Sequence, residues 1–182
     1  MALSIVGCDR LSDSGYMRAK VEQEKLIRES SIPYSLVRAT QFLEFVNRIA
    51  DSATEGNMVH LPPVRFQPMA ADDVASAVAR VAMGTTVEWY CIVEVGRPEQ
   101  FPFDELIRLN LRAHNDSRDV IADPHARYFG TELTEYSLVP NNGALLGEIR
   151  FKDLPGQPAG QTPATPQAAT AVVVSKGAGP QQ

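Results

Sequence analysis

Tyr16 and Lys20 stand four residues apart in Gly15-Tyr16-Met17-Arg18-Ala19-Lys20. On a helix that spacing puts both side chains on one face, so a phenol and an ammonium point into the same cleft. A free tyrosine ionises near pH 10, too high for efficient proton transfer at neutral pH. A neighbouring cation favours the phenolate and brings the hydroxyl closer to a useful range. Ser4 lies on the preceding strand, where its hydroxyl could hold a carbonyl oxygen. Standing alone, a Y-x-x-x-K match is weak, because tyrosine and lysine are common on helix surfaces.

Other chemistry-bearing residues are less organised. His60, His114 and His125 are scattered with no helical H-x-x-x-H pair, so no metal site is expected. Asp72 and Asp73 are adjacent, which on a helix points them apart; they suit the positive start of a helix better than paired acid–base work. Cys8, close to Ser4, is expected to pack rather than react. Glu22-Gln23-Glu24-Lys25 and Arg28 read as a solvated helix face.

These residues sit in a chain of 182, with 17 Lys+Arg against 22 Asp+Glu, a net charge of −5, and 44% hydrophobic content. That composition excludes collagen-like, coiled-coil and wholly disordered classes. The mild acidity argues against nucleic acid as a partner, since tracking phosphates needs a clustered basic face. Cys8 and Cys91 are far apart and form no C-x-x-C, which fits a reduced, cytoplasmic protein. No apolar run approaches the roughly 18 residues that span a bilayer. Met1 to Gly7 has no basic flank and turns polar at Cys8-Asp9-Arg10, so it reads as a strand rather than a signal peptide.

The elements that must position the chemistry alternate between strand-like and helix-like runs. Leu3 to Val6 is a strand, and Tyr16 to Glu29 a helix with Asp13 and Ser14 as candidate caps. Ser30-Ser31-Ile32-Pro33 turns the chain into a strand over Tyr34 to Arg38. Thr40 is expected to cap a helix through about Ala53, and Val64 to Gln67 is a short extended piece closed by Pro68. Ala71 to Met83 is a helix, with Val74, Ala77, Val78 and Val81 at helical spacing. Trp89 to Val95 is a strand, Phe103 to Ala113 a helix, and Arg118 to Ala122 a further strand candidate. Residues 124 to 154 read as irregular, with a turn at Asn141-Asn142-Gly143. This rhythm predicts an α/β domain with a mostly parallel sheet. The final 28 residues, Pro155 to Gln182, hold five Pro, four Gly and one charge, Lys176; a segment so poor in buriable surface is expected to be disordered. The domain boundaries are therefore 1–154 and 155–182.

Taken in order, several stretches resemble the atypical short-chain dehydrogenase/reductase superfamily, in its NmrA-like NAD(P)-binding branch. They are Leu3-Ser-Ile-Val-Gly7, Gly15 to Lys20, and Ser31-Ile-Pro-Tyr-Ser-Leu-Val-Arg-Ala-Thr-Gln-Phe42, then Phe66 to Val74 and Val95-Gly-Arg-Pro-Glu99. The resemblance covers most of residues 2 to 152. It implies a Rossmann-like fold holding a nicotinamide cofactor along the carboxyl ends of its strands, with a small-molecule substrate beside it. On that resemblance Tyr16 would be the general acid/base, Lys20 would bind the nicotinamide ribose and tune Tyr16, and Ser4 would polarise the substrate carbonyl. Arg38, Ala39, Thr40, Gln41 and Phe42 would border the nicotinamide, just past a strand's carboxyl end. The cofactor implied is NAD(P), NADP ahead of NAD, with no residue in the chain to distinguish them.

The same resemblance implies a glycine-rich turn for the pyrophosphate, and no G-x-G-x-x-G or G-x-x-G-x-x-G occurs in the 182 residues. A complete fold of this kind would need about four more βα units before Leu3, on the order of 100 residues. The chain therefore reads as the C-terminal part of such a protein, with a bare sheet edge that would permit self-association. Hydride transfer to or from a carbonyl-type group is the leading expectation. A nonenzymatic cofactor-binding module and a truncated fragment with impaired binding are the alternatives.

Overall fold

The computed structural model describes residues 1–84 and 90–153. The chain enters on β1, Ala2–Ile5, and leaves it through Gly7, whose φ of 80° is left-handed. A Cβ there would collide with the Ser137 carbonyl, so only glycine fits. A single 3-10 turn, Cys8–Arg10, leads to α1, Gly15–Glu29. Ser14 caps α1, its hydroxyl accepting from the Met17 amide at 3.5 Å; Asp13 takes no part in the cap. Only Met17 and Glu24 of α1 are buried, so Glu24 departs from the solvated face expected of its neighbours Glu22, Lys25 and Arg28. The cause is charge: Glu24 turns inward to meet a buried arginine, described below.

β2, Ser35–Ala39, is buried at all five positions, as a strand flanked on both sides and covered on both faces must be. After it the structure corrects one expectation. Thr40 caps no helix, because its amide bonds the Val95 carbonyl at 3.0 Å and so prolongs the sheet pairing. A 3-10 turn, Leu43–Phe45, follows, and α2 covers only Val46–Ser52, with Phe45 at its cap position. Beyond it come β3, Thr54–Glu55, β4, Met58–Leu61, and β5, Arg65–Phe66. The sequence showed only the third of these.

α3, Ala71–Ala82, opens on Asp72 and Asp73 as its dipole favours. Asp73 also fastens the later chain, its carboxylate accepting the amides of Glu148 (3.2 Å) and Ile149 (3.0 Å). β6, Cys91–Gly96, matches the expected strand within the described residues; Trp89 lies outside them, as do the tail residues 155–182. β7, Phe101–Pro102, α4, Phe103–Ala113, β8, Asp119–Ala122, and β9, Leu145–Leu146, complete the elements, with a last 3-10 turn at Phe151–Asp153. The stretch read as irregular thus contributes one short strand to the main sheet.

That sheet has the order β1-β2-β6-β9 and is parallel throughout. Among the described residues β1 pairs on one side only, with β2. A second sheet, β3-β4-β8, and the two-stranded β5–β7 ribbon stand apart from it. Two cores follow from the strand alternation. Val37, Ala39, Val93 and Val95 face Val74, Ala77 and Val81 of α3. A larger core joins Met17, Ile49, Phe66, Phe101, Phe103, Leu106, Ile107 and Leu138 beneath α2, α4 and the small sheets. Each fully buried Val, Leu, Ile or Phe there contributes about 1.5–3 kcal/mol. No helix among the described residues is long and apolar enough to cross a membrane.

Candidate functional site

Because β1 and β2 are parallel, both carboxyl ends open on the same edge of the sheet, where ligands of open α/β folds collect. A cleft of about 490 Å³ lies there. Ser4 reaches it from β1, Tyr16 and Lys20 from the first turns of α1, and Ala39, Thr40, Gln41 and Phe42 from the end of β2. Three separate segments thus converge on one cavity. The α1 cap is what aims the first turn: with Ser14 fixed, Tyr16 and Lys20 follow at one-turn spacing.

Arg38 is not in the cleft. It lies in register with Ser4, but its long side chain runs past the cleft to the acids of α1 and the 3-10 turn. There it is buried and saturated by acids: Nε donates to Glu24 Oε1 (2.9 Å), Nη2 to Glu24 Oε2 (2.6 Å) and Nη1 to Asp9 Oδ2 (2.7 Å), with Glu94 at 3.8 Å. Its hydrogen bonds to Glu24 hold the guanidinium protonated well above its ordinary range, outweighing burial. Burial pushes the Glu24 carboxyl upward, but the bonds from Arg38, Ser4 and Cys8 together hold it below the usual carboxylate range.

Ser4 is shared between cleft and ion pair. Its Oγ is 3.9 Å from Cys8 Sγ, and Cys8 Sγ donates to Glu24 Oε1 at 3.5 Å. Burial pushes the Cys8 thiol up to about 11, against the pull of Arg38, so it is a protonated, enclosed group rather than a nucleophile. Lys20 Nζ donates to Gln23 Oε1 (3.1 Å), one turn along α1, and makes no hydrogen bond to Tyr16. Tyr16 is 52% exposed, its ring 6.5 Å from that of Phe129.

Two cleft residues escaped the sequence reading. Tyr128 and Phe129 come from the irregular stretch after β8 and close one side of the cavity. Their only sequence signal is Gly130, which marks a turn but not its destination. Burial holds the Tyr128 phenol protonated well above the ordinary tyrosine range, with Gln41 pulling weakly the other way. Just beneath the cleft wall, Thr40 Oγ1 is buried without a hydrogen-bond partner, and the buried Gln41 amide reaches only the Tyr128 hydroxyl, outside good hydrogen-bond geometry. Under-satisfied donors and acceptors of this kind are costly, and a ligand bearing a carboxamide carries the complementary groups. The residues present therefore fit the nicotinamide end of a dinucleotide. The pyrophosphate end finds no glycine-rich turn in this sequence.

No family model matches the sequence, and no curated protein matches it. Among solved structures the chain is similar to a new type of NADPH-dependent quinone oxidoreductase from Escherichia coli. The TM-score is 0.52 at 19% identity, over 68% of this chain and 45% of that one. A dTDP-4-dehydrorhamnose reductase from Clostridium acetobutylicum superposes at TM-score 0.48 and 15% identity, over 74% of this chain and 52% of that one. A nucleoside-diphosphate-sugar epimerase from Staphylococcus aureus gives 0.47 and 14%, over 66% and 43%. The first likeness makes the fold class plain: this is a mixed α/β chain of the Rossmann-like type, its main sheet parallel. The chain spans about half the length, or less, of each of these proteins.

Proposed function

We propose that this chain is the nicotinamide side of an NAD(P)-dependent oxidoreductase of the NmrA-like, atypical short-chain branch. The observation that carries the reading is the convergence of Ser4, Tyr16, Lys20, Thr40 and Gln41 on one cleft at the carboxyl ends of β1 and β2. The working unit in this reading is residues 1–154. NADP is favoured over NAD by the NADPH dependence of the E. coli neighbour alone. Two unpaired cysteines fit a cytoplasmic setting. Among the described residues β1 pairs on one side only, an edge open to self-association of this chain.

In this reading Thr40 and Gln41 hold the carboxamide and Lys20 a ribose hydroxyl. When bound, the cofactor would supply a hydride to the substrate carbonyl carbon. Tyr16 gives its phenolic proton to the carbonyl oxygen as the carbon is reduced, and regains one from solvent. Ser4 turns its one hydroxyl hydrogen from Glu24 to the same oxygen, and the Lys20 cation stabilises the phenolate left behind.

The test is NADPH oxidation followed at 340 nm with a panel of carbonyl compounds. Tyr16→Phe should lower turnover by about 100-fold or more, the usual worth of a positioned acid, with NADPH affinity within twofold of wild type. Unchanged turnover would remove Tyr16 from the chemistry. A nonenzymatic cofactor-binding module is the second reading, favoured by the Lys20–Gln23 bond, which draws the ammonium away from the phenol. It predicts binding of NADPH with no turnover of any carbonyl.

A further inference from the structure

The residues Tyr128-Phe129-Gly130-Thr131 form a tight reversal closed by two backbone bonds, Tyr128 N to Thr131 O (2.9 Å) and Thr131 N to Tyr128 O (3.1 Å). Both central residues have positive φ, 47° at Phe129 and 85° at Gly130. That is the primed-turn geometry, for which glycine or asparagine is the usual first residue. A bulky phenylalanine in the left-handed region is strained, and such strain is kept where a side chain must be aimed. Here it aims the Phe129 ring, 51% exposed, at Tyr16, the proposed proton donor. Tyr128 packs edge-on behind it at 4.6 Å. The turn also forms part of a smaller neighbouring cavity of about 200 Å³, so its two aromatic rings border both spaces.

The rest of the cleft repeats the theme. Phe42 and Phe45 stack 5.7 Å apart and nearly parallel, at 11°, and both line the cavity. Phe45, Tyr16 and Phe129 are each about half exposed, an unusual concentration of aromatic surface left to water around one cavity. Lys20 is the single charged residue among the cleft-lining residues, and its ammonium is engaged by Gln23. A cleft with several aromatic walls, whose one charged residue the reductase reading commits to the ribose and the phenolate, selects flat, uncharged rings.

We infer that the Tyr128–Thr131 turn is a substrate-selecting wall, and that the substrate is a planar, uncharged, ring-bearing carbonyl compound stacked against Phe129 beside Tyr16. This rests on the proposed reductase reading for its carbonyl, and on the cleft's aromatic lining for its ring.

The test uses the full chain and two probes of one carbon skeleton: 2-acetonaphthone, which is flat, and its saturated counterpart 2-acetyldecalin, which is not. Each is titrated calorimetrically into wild type, Phe129→Gly and Phe129→Leu. Wild type should bind the naphthyl ketone at least tenfold tighter than the decalinyl ketone. Phe129→Gly relieves the backbone strain, so its Tm should equal or exceed that of wild type, while the preference falls below twofold. Phe129→Leu should keep affinity for the decalinyl ketone and lose the naphthyl preference. Equal binding of both probes by wild type, no binding of either, or a preference that survives Phe129→Gly would each overturn the inference. A parallel NADPH titration keeps the two ideas apart. Ring preference without NADPH binding contradicts the reductase reading but upholds the wall; NADPH binding without ring preference does the reverse.

Discussion

Glu24 and Arg38 are joined by a fork-to-fork pair, 2.9 and 2.6 Å long, that ties the middle of α1 to the central strand β2. Glu24 and Arg38 are both nearly excluded from water, and Arg38 also gathers Asp9. Two-point pairing fixes direction as well as distance. It therefore sets how α1, with Tyr16 and Lys20 on its first turns, lies over Ser4.

Removing one partner should cost far more than a surface ion pair. Arg38→Met leaves Glu24 buried without its counter-charge, and about 3–5 kcal/mol of stability should be lost by urea denaturation. The paired replacement Glu24→Leu with Arg38→Met should recover much of that loss, because no charge is then stranded. A single variant as stable as wild type would show that the pair is incidental.

Acid should expose the same pair. Glu24 is held below the usual carboxylate range, so the folded state binds this proton less readily than the unfolded state. Its contribution is present above the ordinary carboxylate value and fades as pH falls through the lowered folded value, below about pH 4. Glu24→Gln should flatten the stability profile below the ordinary carboxylate range. An unchanged acid slope would assign it to other carboxylates.

The Cys8 thiol carries a signature at the opposite end. With its folded value pushed up to about 11, it stabilises the fold fully below the ordinary thiol range, and that stability is lost as pH rises towards 11. Maleimide at pH 7.5 should modify one thiol, Cys91, in the native protein, and Cys8 only after denaturation. Rapid modification of both would show that the Ser4–Cys8–Glu24 region opens readily.

Thr40 separates stability from function. Its Oγ1 is buried without a partner, so Thr40→Val removes an unpaired hydroxyl at nearly constant shape. Stability should be unchanged or rise by up to about 1 kcal/mol, since replacing an unsatisfied polar group is neutral or favourable. NADPH affinity should fall in the same variant. A stability loss above that scale would mean the hydroxyl already has a structural partner.

How much of this the sequence showed depended on how local each signal was. The helix over α1 and the Tyr16–Lys20 face were legible because a cap and a four-residue spacing are short-range features. The strand over β2 was equally plain, from its apolar run before Arg38. Arg38 itself was expected at the cleft with its neighbour Ala39, but its acid partners Glu24 and Asp9, distant in sequence, draw its side chain elsewhere. Glu24 looked like a surface acid until its partner 14 residues on was in view. Thr40 has the side chain of a cap, yet a backbone bond to distant Val95 overrode that preference. Tyr128 and Phe129 reach the cleft through a turn whose position depends on contacts far along the chain, and no periodic pattern marks them.

The central claim is that the cleft beside Tyr16 and Lys20 holds the nicotinamide end of a dinucleotide. Calorimetric titration of the full chain with NADPH, repeated with Lys20→Met, tests it most directly. The account predicts saturable one-to-one binding by wild type and at least tenfold weaker binding by Lys20→Met. No binding up to millimolar NADPH, or equal affinity in the two proteins, would contradict it.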